Sequence, residues 1–506
     1  MGKEEPKMSK IEFSASATQG ACINQIKSAY DSGKINKTEL SEAIEELSQK
    51  RIAEILANQT TPAVVGTSYY ISKDGDDNND GLSPEKAWKT IDKLNAETEK
   101  LKIGDGVFFR RGDIFRGTFD AHEGVTYSAY GEGEKPRIYP WDKNSADPAL
   151  WLPTDVTGVW LYAEDSEIDI GNVVFDDEFC ARKVYKSYEH DGTTLDYHKQ
   201  RPFTDYHDLT EDFTFYQDSR PEGDKKLYLR CNKGNPGELF SDIEMSKRTC
   251  CIRVGKKNDG VTVDNLRISF AGIHGMAGHY GDNITVRNCE FKWIGGCIQF
   301  QVGEAKRFFI ERTWPTPLGN AIELGQARNF NVYNNYIHQC YDAGITHQWG
   351  PGTDPIHARD IHYFDNVITD CVYAIEIFYG DSMFKISNRS CDNTLIENNI
   401  LRCGGGFGHD ARPDRGVTAL IRYGRMLAAN TNHVVRSNIF DRSREYMITA
   451  RNDGMNAARF CDNLYIHKYG GKFTNRLGGN FVMSDTVKDE LERTGTETGM
   501  TVVGIE

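Results

Sequence analysis

The sequence predicts an all-β chain built as a single-stranded solenoid, a parallel β-helix, with a small N-terminal α-helical appendage. Three observations predict it. First, a short phrase centred on asparagine recurs as VDNLRI, VRNCEF, YNNYIH, FDNVIT, ENNILR, RSNIFD and CDNLYI. Its aligned residues are Asn265, Asn288, Asn335, Asn366, Asn399, Asn438 and Asn463, spaced by 23, 47, 31, 33, 39 and 25 residues. The 47 divides if FFIERTWP places Arg312 in the same slot, and the base period is then about 23. Second, the runs beside each phrase are β-branched and too short to make a sheet alone, so stacked coils must share one core. Third, a leucine-rich repeat has a similar period but needs an LxxLxLxxN order, which does not appear. Asparagine suits one turn of each coil because it tolerates left-handed backbone and can bond the coils above and below.

A repeat architecture also accounts for the length. At 506 residues the chain exceeds one ordinary compact core, whereas a solenoid grows by adding layers. The formal net charge of −14 argues against a nucleic-acid partner, which needs a basic surface. An anionic sugar held in a local basic patch stays open. No run of 18 or more apolar residues is present, so no membrane-spanning helix is expected. The first 20 residues are polar and lack an apolar signal core, which reads as a cytoplasmic protein, or a secreted one whose signal was removed. Twelve cysteines are scattered without framework spacing and read as buried free thiols. No paired CxxC exists, so no structural zinc is expected.

Along the chain, residues 36–56 read as an amphipathic helix. Asn36 and Glu39 form a capping box, and Leu40, Ile44, Leu47, Ile52 and Ile55 form its apolar stripe. A shorter helix over 22–30 precedes it. Residues 1–66 are therefore the helical appendage and linker. In YYISKDGDDNNDGLSPEKAWKTIDKLN a strand, an acidic loop and a helix follow, with Ser83 and Pro84 at the helix start. The acidic loop is a possible Ca²⁺ site or a set of ordinary turns, and it lacks the EF-hand ligand order. Residues 151–250 are irregular, with short strands such as FTFYQD and KKLYLRC. The coils are clearest over 259–470, so 67–475 is assigned to the β-helix with loop insertions and 476–506 to a C-terminal tail or cap. GEGEK at 131–135 has the wrong spacing for a phosphate-binding loop.

The stretch YYISKDGDDNNDGLSPEKAWKTI resembles the opening module of many bacterial right-handed parallel β-helix proteins of the pectate-lyase-like superfamily. The likeness covers roughly residues 68–475. It implies a right-handed solenoid and a carbohydrate-active protein: a polysaccharide lyase, a glycoside hydrolase (the β-helix lacto-N-biosidases and xylosidases among them), an epimerase or a phage tailspike. It assigns no catalytic carboxylate residue by residue, and the helical appendage is not part of the common pattern.

Aligning the strand after each phrase gives Ile298, Ile322, Ile345, Ile375, Phe407 and Met447 as an inward ladder. Gln299, Glu323, Thr346, Glu376 and Gly408 form the outward one. Glu323 and Glu376 then lie two coils apart, about 9–10 Å at the backbone, which suits the carboxyl separation of an inverting glycosidase, roughly 6.5–9.5 Å. Surface strands also carry glutamate for no catalytic reason. The longest insertions follow these same strands and would wall a cleft beside the pair. In GGGFGHDARPDRG, Asp410 is the reserve acid or base, and His409, Arg412 and Arg415 are candidate substrate ligands; the alternative is a salt-bridged loop. His347 is a satisfied core histidine if inward and a substrate ligand if a bend exposes it. Trp349 and Tyr379 could stack on sugars or anchor their loops.

The expectation is a glycoside hydrolase acting on an oligo- or polysaccharide, with no metal in the site. Against it stand a lyase acting on a uronate polymer, for which His347, His409, Arg412 and Arg415 would serve, and a noncatalytic carbohydrate-binding β-helix. The outward ladder as aligned carries no Lys or Arg, which weighs against the lyase.

Overall fold

The computed structural model describes residues 11–14, 16–164, 167–188, 193–196, 199–220, 223–255, 259–300, 316–317, 319–348, 356–378, 389–407, 417–424, 429–450, 458–475, 479–495 and 497–506. The chain is a parallel β-helix. Strands of successive coils pair in parallel, as in Met276–Arg287 with Ile322–Tyr333 and Tyr336–Cys340 with Val367–Thr369. The hydrophobic interior runs continuously from Ile71 to Met500.

Each coil turns at left-handed residues. One column of them comprises Asn265, Asn288, Asn334, Asp365, Asn398, Ser437 and Asp462, with φ between 53° and 58°. The next residue turns inward. Asn335, Asn366, Asn399, Asn438 and Asn463 form a buried ladder in which each Nδ2 donates to the next Oδ1 at 2.9–3.1 Å. The continuous buried ladder thus falls to the residue after the left-handed one, although Asn334 of the left-handed column also donates from Nδ2 to Asn288 Oδ1 in the coil below. Asn265 and Asn288 belong to the left-handed column; Leu266 and Cys289 occupy the ladder position in their coils.

The register corrects the expected coil count. Met276–Arg287 and Ile322–Tyr333 are direct neighbours, so no coil lies between them and FFIERTWP belongs to an insertion outside the described residues. Period alone cannot separate one long insertion from a hidden coil.

The N-terminal helices pack against the coils. Helix α1 (Gln19–Asp31) is capped by Thr18, and α2 (Lys37–Ala57) by the Asn36–Glu39 box. Ile23, Ile26, Leu40, Ile44 and Leu47 pack on Val367, Ile400, Ile439, Leu464, Ile466 and Val503, an apolar stripe on the outside of one sheet. Gln19 Nε2 reaches the carbonyls of Asn366 and Asn398, and Arg51 donates to Asn334. No helix of the described residues is long and apolar enough to cross a membrane.

Between strands Arg137–Tyr139 and Ile252–Val254 the chain leaves the solenoid and builds a mostly antiparallel module with its own core. It contains both strands expected there, Thr214–Gln217 and Leu227–Arg230. At the other end Thr501–Ile505 pairs in parallel with Leu464–Lys468, so the last segment completes a coil, while Val487 and Leu491 of a short helix close the core. All twelve cysteines are free thiols.

Candidate active site

One sheet face carries an outward column whose members pair rung by rung: Ala277, Glu323, Thr346, Glu376, Arg422 and Thr449. The residue before each in the glutamate-bearing rungs and between them, Ile322, Ile345 and Ile375, is wholly buried in the solenoid core. The expected ladder of Glu323, Thr346 and Glu376 therefore has the expected register. Its ends do not. Ile298–Phe300 pairs antiparallel with Thr316–Pro317, and the rung beneath Glu323 is Met276–Gly278. The rung above Glu376 comes from Ala419–Tyr423, not from the GGGFGH segment, which places Arg422 where Gly408 was expected. On the last rung Ile448, rather than Met447, aligns with Ile375 and Ile421, although both side chains are buried. Insertions before and after the strands obscured these rungs. A signal was present nonetheless: ALIRY matches YAIEI in register, with isoleucine at the inward position and arginine in the glutamate slot.

The two carboxylates have different surroundings. Glu323 keeps a side-chain exposure of 24%. Its Oε2 accepts from Asn320 Nδ2 at 2.5 Å and lies 3.3 Å from His274 Nε2. Glu376 is 2% exposed; its Oε2 accepts from Gln348 Nε2 at 3.1 Å and its Oε1 lies 3.3 Å from Arg422 Nη1. The Arg422 guanidinium sits over the Tyr373 ring at 4.6 Å and donates to the Tyr373 hydroxyl, which in turn donates to the Val417 carbonyl at 3.0 Å. Between the carboxylates, Thr346 Oγ1 is buried with no hydrogen-bond partner among the described residues. A buried hydroxyl without a protein partner is the natural place for a water or a ligand hydroxyl.

His347 does not belong to this face. It pairs with Leu324 and Ile377, fully buried inside the solenoid, with Nδ1 2.7 Å from the Tyr363 hydroxyl. Burial lowers its pKa to about 3. The coil wall separates it from any external sugar, so it is a core histidine and not a substrate ligand. Trp349, Tyr379, His409, Asp410, Arg412 and Arg415 lie outside the described residues. Sequence reasoning missed His274, Asn320, Gln348, Tyr373 and Arg422, which only the stacking of separate coils brings together.

In the acidic N-terminal loop the carboxylates meet other partners. Asp77 accepts from the Lys89 and Thr90 amides, Asp80 from Leu82, and Asp74 from Arg110. Among the described residues no three His, Cys, Asp or Glu side chains gather as a metal site.

Residues 234–390 match a family model described as a right-handed β-helix region. No curated protein is similar to the chain in sequence. Among solved structures it is similar to the complex of XylC with xylose, at 13% identity, TM-score 0.45, and coverage of 86% of this chain and 83% of that one. It is also similar to a lacto-N-biosidase from Eubacterium ramulus, at 13% identity and TM-score 0.43 over 92% and 71% of the two chains. An alginate lyase from Paenibacillus shares 10% identity at TM-score 0.32 over 82% and 97%. At these identities the likeness concerns the fold.

Proposed function

We propose that the protein is a glycoside hydrolase that cleaves an oligo- or polysaccharide with Glu323 and Glu376. The observation that carries this reading is the column Glu323–Thr346–Glu376. Two rungs set the backbones about 9–10 Å apart, and side chains leaning together reach the roughly 6.5–9.5 Å of an inverting pair. Thr346, small and without a hydrogen-bond partner among the described residues, leaves room for the attacking water. One carboxylate takes a proton from that water as its oxygen bonds to the anomeric carbon. The glycosidic C–O bond breaks, and the other carboxyl gives its proton to the departing oxygen. Asp410 is the reserve for either role.

Arg422 favours a second reading. An arginine one rung from Glu376 is the kind of group that a lyase uses to neutralise a uronate carboxylate. Its closeness to Glu376 and Tyr373 supports the hydrolase, because its charge is already engaged within the site. The test is incubation of the full chain with neutral and with uronate-containing oligosaccharides, reading new reducing ends and ultraviolet absorbance together. New reducing ends without absorbance are expected. An unsaturated, absorbing product replaces the hydrolase with the lyase.

A further inference from the structure

We infer that Arg111 and Lys135 hold a small inorganic anion of the halide class within the coil wall, at a site outside the glutamate column and independent of the hydrolase reading. Arg111 follows strand Gly106–Arg110, and its amide donates to the Tyr130 carbonyl at 3.0 Å. The residue is 3% exposed, and its Nε, Nη1 and Nη2 are all buried with no hydrogen-bond partner among the described residues. A guanidinium carries five N–H donors and stays charged in a protein. Burying one without acceptors is costly, so a partner of opposite charge is expected beside it.

Lys135 makes the site doubly cationic. It is 4% exposed, and its ammonium donates to Asn265 Oδ1 at 2.8 Å, one bond for three donors. Burial lowers its pKa to about 8, and the charge of nearby Arg111 acts in the same direction. The acidic groups around the two cations are engaged elsewhere. Asp264 accepts from Ser128 Oγ at 2.7 Å, Asn288 Nδ2 at 2.7 Å and Arg287 Nε at 3.0 Å. Glu290 lies 3.1 Å from His338 Nε2 and 3.6 Å from Arg267 Nε. An anion supplies what water does not: acceptors for the guanidinium and a counter-charge for both cations. The linker after helix α2 closes over Lys135 and its partner. Asn265 Nδ2 donates to Asn58 Oδ1 at 3.1 Å and to the Thr60 carbonyl at 2.8 Å, and Thr61 Oγ1 donates to the Ala129 carbonyl at 2.8 Å. A carboxylate carried on a polymer is thereby shut out, and a free ion is the class that fits.

Two measurements on the full chain test this. Crystals of protein purified with bromide in place of chloride are expected to show an anomalous bromine peak against the Arg111 guanidinium. Density of water strength there, with no such peak, overturns the proposal. Thermal unfolding is then compared in sodium chloride and in sodium gluconate at equal ionic strength and neutral pH. A ligand that binds only the folded chain raises the midpoint, so the wild type is expected to melt a few degrees higher in chloride. Arg111→Met is expected to abolish that difference and Lys135→Met to reduce it. Should Arg111→Met fail to fold, Lys135→Met decides, and an undiminished chloride effect in it overturns the site. A bromine peak with equal midpoints in the two salts marks an adventitious ion only and overturns a resident anion. So does a chloride effect that survives in Arg111→Met.

Discussion

Asn399 donates from Nδ2 to Asn438 Oδ1 at 2.9 Å inside the coil wall, and its own Oδ1 receives both the amide and the side chain of Asn366. A second bond from Nδ2 reaches the Tyr363 carbonyl at 2.9 Å. Asn399→Ala therefore orphans several buried polar groups at once, each costing about 1–3 kcal/mol. A loss of roughly 2–5 kcal/mol is expected, seen as a lower unfolding midpoint in denaturant. A variant as stable as the wild type would show that the ladder is not a structural spine.

The helical hairpin covers the apolar stripe of Val367, Ile400, Ile439, Leu464, Ile466 and Val503. Deleting residues 1–57 uncovers it, and an exposed apolar patch of that kind drives association. The truncated chain is expected to aggregate or to bind a hydrophobic dye strongly. Within the hairpin, Ile44→Ala removes a fully buried side chain and should cost about 2–5 kcal/mol. A monomeric, dye-silent truncate with unchanged melting would mean that the helices only rest on the coils.

Acid should destabilise the protein through its interior histidines. Burial lowers the pKa of His347 to about 3 and of His433 to about 4, from an ordinary value of 6.5. Both rings are neutral in the folded chain, so the unfolded chain binds more protons below its pKa. Stability is fully present above pH 6.5. It is lost as the pH falls from there toward about 4 and 3, on the order of 3 kcal/mol for His433 alone. Melting temperature followed against pH is expected to drop through that window, and His433→Phe should flatten the slope. An unchanged slope in that variant would place the acid sensitivity elsewhere.

Glu376 and Arg422 are a buried pair, 2% and 4% exposed, at 3.3 Å. Removing the carboxylate leaves a buried guanidinium short of its partner. Glu376→Ala should therefore cost about 3–5 kcal/mol in stability besides any loss of turnover. Glu323 is more exposed, and Glu323→Gln should keep the melting temperature while lowering turnover. Equal stability losses in the two variants would contradict this division.

The sequence alone determined the solenoid. The asparagine phrases and short β-branched runs allow only a stack of coils, because no single run can bury its own apolar face. The same periodicity set the register of Glu323, Thr346 and Glu376, since a strand that alternates inward and outward leaves one choice once Ile322, Ile345 and Ile375 are inside. The capping box of α2 was equally legible, being written in four consecutive residues.

Tertiary structure alone decided which segments supply the neighbouring rungs. Insertions enter the coils at different points, and a period does not say whether an extra stretch is a loop or a coil. Arg422 therefore joined the ladder in place of Gly408, and the coil expected at Arg312 vanished. His274 and Asn320 meet Glu323 because residues 46 positions apart stack one above the other in space. His347 ended inside for a similar reason. Two residues before a long insertion, nothing local says whether the strand is still alternating, and only its pairing with Leu324 and Ile377 fixes the side on which the ring must lie.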